Sequence, residues 1–151
     1  MKKPNQRIKV FIDTSVLIAG VASVTGASAT VLDLCEAESI QMVISRQVLV
    51  EADRNFSLKL PHLVGQFRRF IENLGPLMVD DPSPRAVEKV NSLIDRKDAA
   101  ILAAAMEAEV DFLITLDKKH FLKPKVQGNV PIEVCKLADF LKIFEGLWLQ
   151  D

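Results

Sequence analysis

Residues 10–20, VFIDTSVLIAG, decide how the rest of the sequence is interpreted. The first three of these residues are apolar and two are β-branched, which is typical of a buried strand. Asp13 follows directly, and together with Thr14 and Ser15 it has the side-chain chemistry that caps a helix. The stretch therefore predicts a strand that ends in an acid and passes at once into a helix.

The same alternation of strand and helix continues along the chain. Short apolar runs predict further strands at residues 41–44, 77–79, 112–115 and 132–134. The intervals between them carry apolar residues at three- and four-residue spacing, which is typical of amphipathic helices. Because most of the strands are continuously apolar, we expect an α/β fold in which helices cover both faces of a mainly parallel sheet of four to five strands.

Local signals set the predicted ends of the helices. Ser45 caps the helix after the second strand, and Gly75 ends the helix that follows it. Residues 26–29 are predicted to form a loop. Asp98 is predicted to open an alanine-rich helix, and residues 136–144 to form the last helix. These ends matter because they decide where each acidic residue lies.

Size and charge bound the possible functions. The chain has 151 residues, which suits one compact domain over residues 1–151. Hydrophobic residues make up 49% of it, which excludes an intrinsically disordered chain. Lysine and arginine number 19 against 20 aspartates and glutamates, for a net charge of −1. Since a general nucleic-acid binder is usually basic, any contact with RNA is expected to come from a local basic patch.

Cysteine, histidine and apolar patterning indicate the location. Cys35 and Cys135 form no CxxC motif, and His62 and His120 have no zinc-site spacing. The two cysteines are predicted to be buried in a reducing compartment. No apolar run approaches the ~20 residues of a membrane helix, and residues 1–6 lack the apolar core of an export signal. We therefore expect a cytoplasmic protein that does not contact a membrane.

Four acids fall near one edge of the predicted sheet. Asp13 ends the first strand, and Asp117 lies just past the fourth. Asp98 begins a helix between strands, and Glu51 lies within the first two turns of the helix after the second strand. Ligands of open parallel sheets bind beyond the carboxyl ends of the strands. Sequence order places all four acids near this edge, called the carboxyl edge below.

Acids gathered in this way point to a metal ion. Like charges repel, and some of the carboxylates would be forced to take up protons. A divalent cation removes that cost, and carboxylate oxygens suit Mg²⁺ or Mn²⁺. Such an ion activates water for attack on phosphorus and neutralises charge on the leaving oxygen. The acids therefore predict a site with one or two Mg²⁺ or Mn²⁺ ions that hydrolyses phosphodiester bonds.

Each acid also has a purely structural explanation. Asp13 alone would be a helix cap, and Asp98 alone would complement a helix dipole. Glu51 alone would be a solvated helix residue, and Asp117 a turn residue. Their shared edge favours the joint explanation. Asp95, one turn before Asp98, is a weaker candidate, either as an outer ligand or as a helix cap.

Four segments together resemble the motifs of the PIN-domain family. VFIDTSVLIAG looks like the first motif, a strand ending in Asp followed by Thr and a small polar residue. VLVEADRNF resembles the second, with Glu51 as the helix acid. DRKDAAILAAAMEAEVDFLITLDKKHF is similar to the third and fourth motifs run together, with Asp98 before the alanine-rich helix and Asp117 after the strand. The resemblance extends from about Lys9 to the last helix.

The resemblance implies a three-layer α/β/α fold and Mg²⁺- or Mn²⁺-dependent cleavage of single-stranded RNA. The metal ligands and catalytic residues that it implies are Asp13, Glu51, Asp98 and Asp117. Ser15 and Thr115 match auxiliary positions that usually orient the acids or contact metal-bound water, although a helix cap and a strand-end hydroxyl explain them equally well. Leu116 departs from the family, in which Arg or Gly is more usual there.

The resemblance also implies partners. Many short members of the family are toxins of VapBC-type toxin–antitoxin pairs, and dimers are common among them. An antitoxin protein and a homodimer are therefore expected, while the RNA itself, transfer, ribosomal or messenger, is left open.

A basic segment after the fourth strand is the predicted contact for RNA phosphates, with a solvated loop as the alternative. Its residues are Lys118, Lys119, His120, Lys123 and Lys125. Lys118 and Lys119 lie nearest to Asp117 and are the main candidates. His120 is also considered for proton transfer.

Two apolar surfaces have more than one interpretation. The stripe over residues 60–74 is predicted to be core, and part of it is a candidate groove for a second copy or an antitoxin. Leu147, Trp148 and Leu149 near the end of the chain either dock on the domain or on a partner.

Three other functions are considered. A PIN-like module that binds RNA or protein without cleavage is disfavoured because an inert scaffold has no need of four acids. A phosphatase with an aspartyl nucleophile usually carries a second Asp where this chain has Ser15. A nucleotide-binding Rossmann domain is disfavoured because no GxGxxG or P-loop follows a strand.

Overall fold

A computed structural model describes residues 7–117 and 119–149, apart from the side chains of Trp148 and Leu149. Within these residues five strands form one sheet in the order β3-β2-β1-β4-β5, and all neighbouring strands are parallel. The strands are β1 (Ile8–Ile12), β2 (Ile40–Ser45), β3 (Leu77–Val79), β4 (Phe112–Thr115) and β5 (Glu133–Lys136). The predicted α/β fold with a mainly parallel sheet is confirmed.

Helices connect consecutive strands throughout the described ranges. They are α1 (Thr14–Ala22), α2 (Ala27–Glu36), α3 (Arg46–Lys59), α4 (Val64–Leu74), α5 (Pro84–Val90), α6 (Arg96–Glu107), α7 (Pro124–Gln127) and α8 (Leu137–Leu149), with a 3₁₀ helix at Pro61–Leu63. Parallel neighbours need such crossovers, because a tight turn can join only antiparallel strands.

The strand order fixes the layers. The chain moves from β1 through β2 to β3 towards one side of the sheet and then returns to β4 and β5 on the other side. Since crossovers between parallel strands are right-handed, this reversal places α1 to α4 on one face and α5 and α6 on the opposite face. α8 packs on α2, β4 and β5 and completes the first layer. The three-layer α/β/α arrangement is therefore confirmed.

The core lies on the central strands. Val10, Phe11 and Ile12 of β1 are fully buried, and so are Leu113 and Ile114 of β4. Continuous burial of successive residues is expected for strands that are covered on both faces. The buried apolar residues of the described chain form one cluster. This packing holds the ends of β1 and β4 in fixed positions, which is what a site at the carboxyl edge needs.

The stripe over residues 60–74 is only partly core. Phe67 is 1% exposed and stacks on Phe56 of α3 with ring centroids 4.8 Å apart. Ile71 is half-buried, and Val50 on α3 is 45% exposed beside it. A groove of about 540 Å³ between α3 and α4 passes over these side chains. Its use by a partner stays a prediction.

Several predicted boundaries were wrong, among them the end of the last helix, which lies at Leu149 rather than at residue 144. Residues 26–29 are not a loop, because α2 begins at Ala27 directly after Gly26, whose φ is 98°. α6 begins at Arg96, so Asp98 lies within its first turn rather than opening it. β5 extends to Lys136, which pairs with Thr115, and the last helix therefore begins at Leu137. Local signals define the ends of helices only to within a residue or two, and for β5 the pairing with β4 set the end.

Two further expectations concern surfaces. No single helix in residues 7–117 and 119–149 is long and apolar enough to cross a membrane; only α1 and α2 together reach that length and composition, and they are bent by 91°. Leu147 is 43% exposed. The side chains of Trp148 and Leu149 lie outside the described residues, so docking of this tail stays a prediction.

Candidate active site

Two of the predicted acids lie at the ends of adjacent central strands. β1 and β4 pair in parallel, with Ile12 opposite Ile114, and the N–H of Asp13 continues this pairing by donating to the Ile114 carbonyl at 3.2 Å. Asp13 is the first residue after β1, and Asp117 follows β4 by two residues. The two acids therefore share the carboxyl edge.

Asp13 is held by three hydrogen bonds. Its Oδ1 accepts from the N–H of Thr14 at 2.7 Å, as a cap of α1, and its Oδ2 accepts from Thr115 Oγ1 at 2.8 Å and Ser15 Oγ at 3.2 Å. Burial raises the pKa of Asp13, while these hydrogen bonds pull it down and the charge of Asp98 adds to the increase. The carboxyl is thus fixed in one orientation and lies close enough to Asp98 to be repelled by it.

Ser15 and Thr115 also hold the main chain after β4. Thr115 Oγ1 accepts from the N–H of Asp117 at 2.9 Å, and Ser15 Oγ accepts from the N–H of Leu116 at 3.3 Å. Each hydroxyl therefore donates to Asp13 and accepts from the segment that carries Asp117. Both hydroxyls can thus orient Asp13, and their part in the site stays a prediction.

Within residues 7–117 and 119–149, a group of potential metal ligands is formed by Asp98, Asp117 and His120. One donor atom from each lies within 4.8 Å of the others. His120 Nδ1 lies 2.8 Å from Asp117 Oδ2 and 3.8 Å from Asp98 Oδ2. Asp98 comes from the first turn of α6, whereas Asp117 and His120 come from the segment after β4. The fold thus brings two distant parts of the sequence to one point.

The two aspartates of this group titrate differently. Burial raises the pKa of Asp98; His120 opposes the increase, and the charges of Asp117 and Asp95 add to it. Burial also acts to raise the pKa of Asp117, but hydrogen bonds from the ring and the N–H of His120 outweigh it and leave that pKa below its ordinary value. Asp117 is therefore the readily ionised partner, and Asp98 carries the cost of the shared negative charge.

Glu51 lies beside this group rather than in it. Its Oε2 accepts from Thr14 Oγ1 at 3.1 Å, and its Oε1 accepts from Gln47 Nε2 at 3.0 Å. The same Gln47 amide reaches the carbonyl of Lys97 at 3.3 Å, next to Asp98. Glu51 is therefore connected to the surroundings of both Asp13 and Asp98 through one intervening residue.

The auxiliary acid and the lysines are more exposed. Asp95 occupies the N-cap position of α6 without a side-chain capping bond, and its Oδ2 lies 3.7 Å from His120 Nε2. Lys119 is exposed, and its N–H donates to Asp117 Oδ1 at 3.0 Å. Lys118 lies outside the described residues. Asp53, two residues after Glu51 in α3, pairs with Arg68 at 2.8 Å.

His120 lies closer to the acids than its predicted roles in phosphate contact or proton transfer required. Its ring lies between Asp98, Asp117 and Asp95. The spacing of three residues between Asp117 and His120 was the available signal, since such a turn lets the side chains meet. The contribution of Asp98 was not visible from spacing.

Comparison with known proteins gives a family match. The PIN domain family model matches residues 9–119, a range that includes the four predicted acids. No curated protein matches the chain in sequence.

Solved structures share the fold at low identity. VapBC2 from Rickettsia felis bound to a DNA fragment has a TM-score of 0.59 at 17% identity, over 85% of this chain and 98% of that one. PAE2754 from Pyrobaculum aerophilum has a TM-score of 0.61 at 15% identity, over 92% and 90%. VapC20 from Mycobacterium tuberculosis, a sarcin-ricin loop cleaving toxin, has 0.55 at 15% identity, over 73% and 91%.

Proposed function

Because the chain belongs to the PIN domain family, we propose that it is a divalent-metal-dependent endoribonuclease that cleaves phosphodiester bonds of single-stranded RNA. The observation that carries the proposal is the meeting of Asp98, Asp117 and His120 donor atoms within 4.8 Å at the edge where Asp13 is buried. An inert binding module has no use for acids held this close, since their repulsion costs stability.

The donor atoms fit a divalent cation. Carboxylate oxygens are preferred by Mg²⁺ and Mn²⁺, and an imidazole nitrogen is accepted by Mn²⁺. Burial, and after it the charges of Asp117 and Asp95, raise the pKa of Asp98, and a cation would favour its ionised form. The residues that would hold the ion are Asp13, Glu51, Asp98 and Asp117. When bound, a divalent cation supplies positive charge against phosphate oxygens and makes water more acidic.

The protein's own residues supply orientation. Thr115, Ser15 and the N–H of Thr14 hold Asp13 in one direction, so its carboxylate does not have to be ordered when RNA arrives. Gln47 and Thr14 do the same for Glu51. Lys119, exposed beside Asp117, is placed to contact a phosphate of the bound strand, and Lys118 is proposed for the same role.

We extend the proposal to a toxin–antitoxin pair. Two of the similar structures are VapBC2 and the toxin VapC20, which cleaves the sarcin-ricin loop. We propose by analogy that an antitoxin protein binds this chain and that the chain forms a homodimer. Growth arrest on expression, relieved by coexpression of a small neighbouring reading frame, is the expected result. A transfer, ribosomal or messenger RNA target, a cytoplasmic location and a single domain over residues 1–151 belong to the same proposal.

Cleavage of a mixed single-stranded RNA pool tests the activity. We expect cleavage with Mg²⁺ or Mn²⁺ and none with EDTA, and a loss of about 100-fold or more in Asp98→Asn. Asp53→Asn is the matched control, because Asp53 pairs with Arg68 away from the site. RNA binding without cleavage by the folded wild-type protein would instead identify the non-catalytic module.

A further inference from the structure

The ring of His120 has carboxylates at both nitrogens. Nδ1 lies 2.8 Å from Asp117 Oδ2 and 3.8 Å from Asp98 Oδ2, and Nε2 lies 3.7 Å from Asp95 Oδ2. The side chain is 34% exposed, so it is neither a core residue nor a freely solvated one. A histidine in this position either orients Asp117 by a hydrogen bond or binds the cation itself.

We propose that His120 is a nitrogen ligand of the divalent cation, together with Asp98 and Asp117, and that the site for this reason prefers Mn²⁺ to Mg²⁺. The inference rests on the proposed function, because it concerns the ion that function requires. The inference adds to the proposed function a ligand that is not a carboxylate. It also adds the preference for one metal ion that follows from this ligand.

The distances suit ligands of one ion. Ligand atoms about 2.1 Å from a six-coordinate ion lie about 3 Å apart when adjacent and about 4 Å apart when opposite. The separations from His120 Nδ1, 2.8 Å to Asp117 and 3.8 Å to Asp98, fall in this range. The three donors also lie within 4.8 Å of one another, so only small side-chain movements are needed.

The surroundings suit a metal-bound imidazole. Coordination through Nδ1 needs the lone pair of that nitrogen, so the ring proton must reside on Nε2. A histidine that binds metal usually donates its other ring N–H to a carboxylate, which fixes the ring. Asp95 Oδ2 lies 3.7 Å from Nε2, beyond hydrogen-bond distance, and would have to move closer to accept this N–H.

The choice of metal follows from ligand chemistry. Mg²⁺ takes oxygen ligands and keeps several waters, whereas imidazole suits transition-metal ions. Replacing one oxygen ligand by nitrogen therefore improves binding of Mn²⁺ relative to Mg²⁺. If His120 only orients Asp117, all protein ligands of the ion are oxygens and no preference for Mn²⁺ over Mg²⁺ is expected.

Electron spin echo spectroscopy of the Mn²⁺-loaded full chain tests ligation directly. A coordinated imidazole gives ¹⁴N modulation, and the chain has only two histidines. We expect modulation in the wild type and in His62→Ala, because His62 is exposed in the 3₁₀ helix. We expect its loss in His120→Asn, whose amide N–H keeps a hydrogen bond to Asp117 but offers no imidazole lone pair.

Titration calorimetry gives the second readout. His120→Asn is expected to bind Mn²⁺ about tenfold more weakly or worse, while its Mg²⁺ affinity changes by less than about threefold. His120→Ala, checked for folding by circular dichroism, should show the same loss of preference.

The outcomes separate the two proposals. Mn²⁺ binding that requires Asp98 but shows no ¹⁴N modulation, or equal losses for both ions in His120→Asn, overturns the inference and leaves the nuclease proposal standing. Wild-type protein that binds neither ion, or binds them equally well after Asp98→Asn, overturns both.

Discussion

Replacing Thr115 with valine is expected to destabilise the metal-free protein by about 1.5–4 kcal/mol at pH 7. Thr115 is fully buried, and valine has nearly the same shape, so packing is preserved. What is lost is the hydroxyl that donates to Asp13 Oδ2 at 2.8 Å and accepts from the N–H of Asp117 at 2.9 Å. The free energy of unfolding therefore reports the hydrogen bonds alone.

The magnitude follows from the charge on Asp13. A hydrogen bond to an ionised group contributes about 1.5–3 kcal/mol, and the half-buried N–H of Asp117 that loses its acceptor adds up to about 1 kcal/mol. Burial raises the pKa of Asp13, and the Thr115 hydrogen bond lowers it, so Thr115→Val raises it further. The pKa of Asp13 in the folded protein lies above the ordinary 3.8. As the pH falls through it, Asp13 becomes protonated, and a neutral carboxyl is stabilised less by the Thr115 hydroxyl than a carboxylate is. The penalty should then shrink to about 1 kcal/mol.

Urea unfolding in EDTA at pH 7 and near pH 4 measures both values. Thr14→Val is the matched control, because Thr14 donates its hydroxyl to the half-exposed Glu51 at 3.1 Å and should cost less than about 1 kcal/mol at either pH. A penalty for Thr115→Val below about 0.5 kcal/mol at pH 7, or one that grows on acidification, would refute this account of how Asp13 is held.

Three further predictions concern the rest of the fold. Gly75→Ala should cost about 1–2 kcal/mol in urea unfolding, because Gly75 has a φ of 60° at the end of α4, whereas Gly146→Ala in the exposed part of α8 should stabilise by up to about 1 kcal/mol; the same sign for both would contradict the backbone explanation. Phe67→Ala should cost about 3–5 kcal/mol, since the ring is 1% exposed and stacked, and a loss under about 1 kcal/mol would show that the α3–α4 contact is not core. Burial raises the pKa of Cys35 and Cys135 to about 12, so an aromatic disulfide reagent at pH 8 should label neither thiol in the native protein and both in urea; rapid native labelling would argue against their burial.

The strands and the placement of Asp13 were predictable because their signals are local. An apolar run followed at once by a capping acid predicts a buried strand that passes into a helix. The observed β1–Asp13–α1 transition has this form. β3 and β4 likewise have the predicted ends. Parallel pairing then brings the ends of the strands to the same edge, so topology alone placed Asp117 near Asp13.

The relation of Glu51 and His120 to the other acids was not predictable in the same way. The carboxylate of Glu51 accepts hydrogen bonds from Thr14 and Gln47, and this arrangement depends on how α3 packs against the start of α1. His120 reaches Asp98 only because α6 and the segment after β4 converge. Both relations are set by side-chain directions across elements, and spacing along one element carries no information about them.

Holding the acids together at the carboxyl edge is unfavourable in free energy, and the rest of the fold compensates for it. Burial raises the pKa of both Asp98 and Asp13, and the charges of neighbouring aspartates add to each increase, so without a cation the fold holds these carboxyls where their ionised forms are disfavoured. The hydrogen bonds from Thr115 and Ser15 offset part of this cost, and within the described residues no buried side-chain nitrogen or oxygen lacks a partner. The apolar cluster on the central sheet requires no ligand, unlike small domains that fold only around a metal. The ligands of a divalent cation are therefore positioned before it binds. The cation also relieves the repulsion between the carboxylates, and this relief adds to its binding free energy.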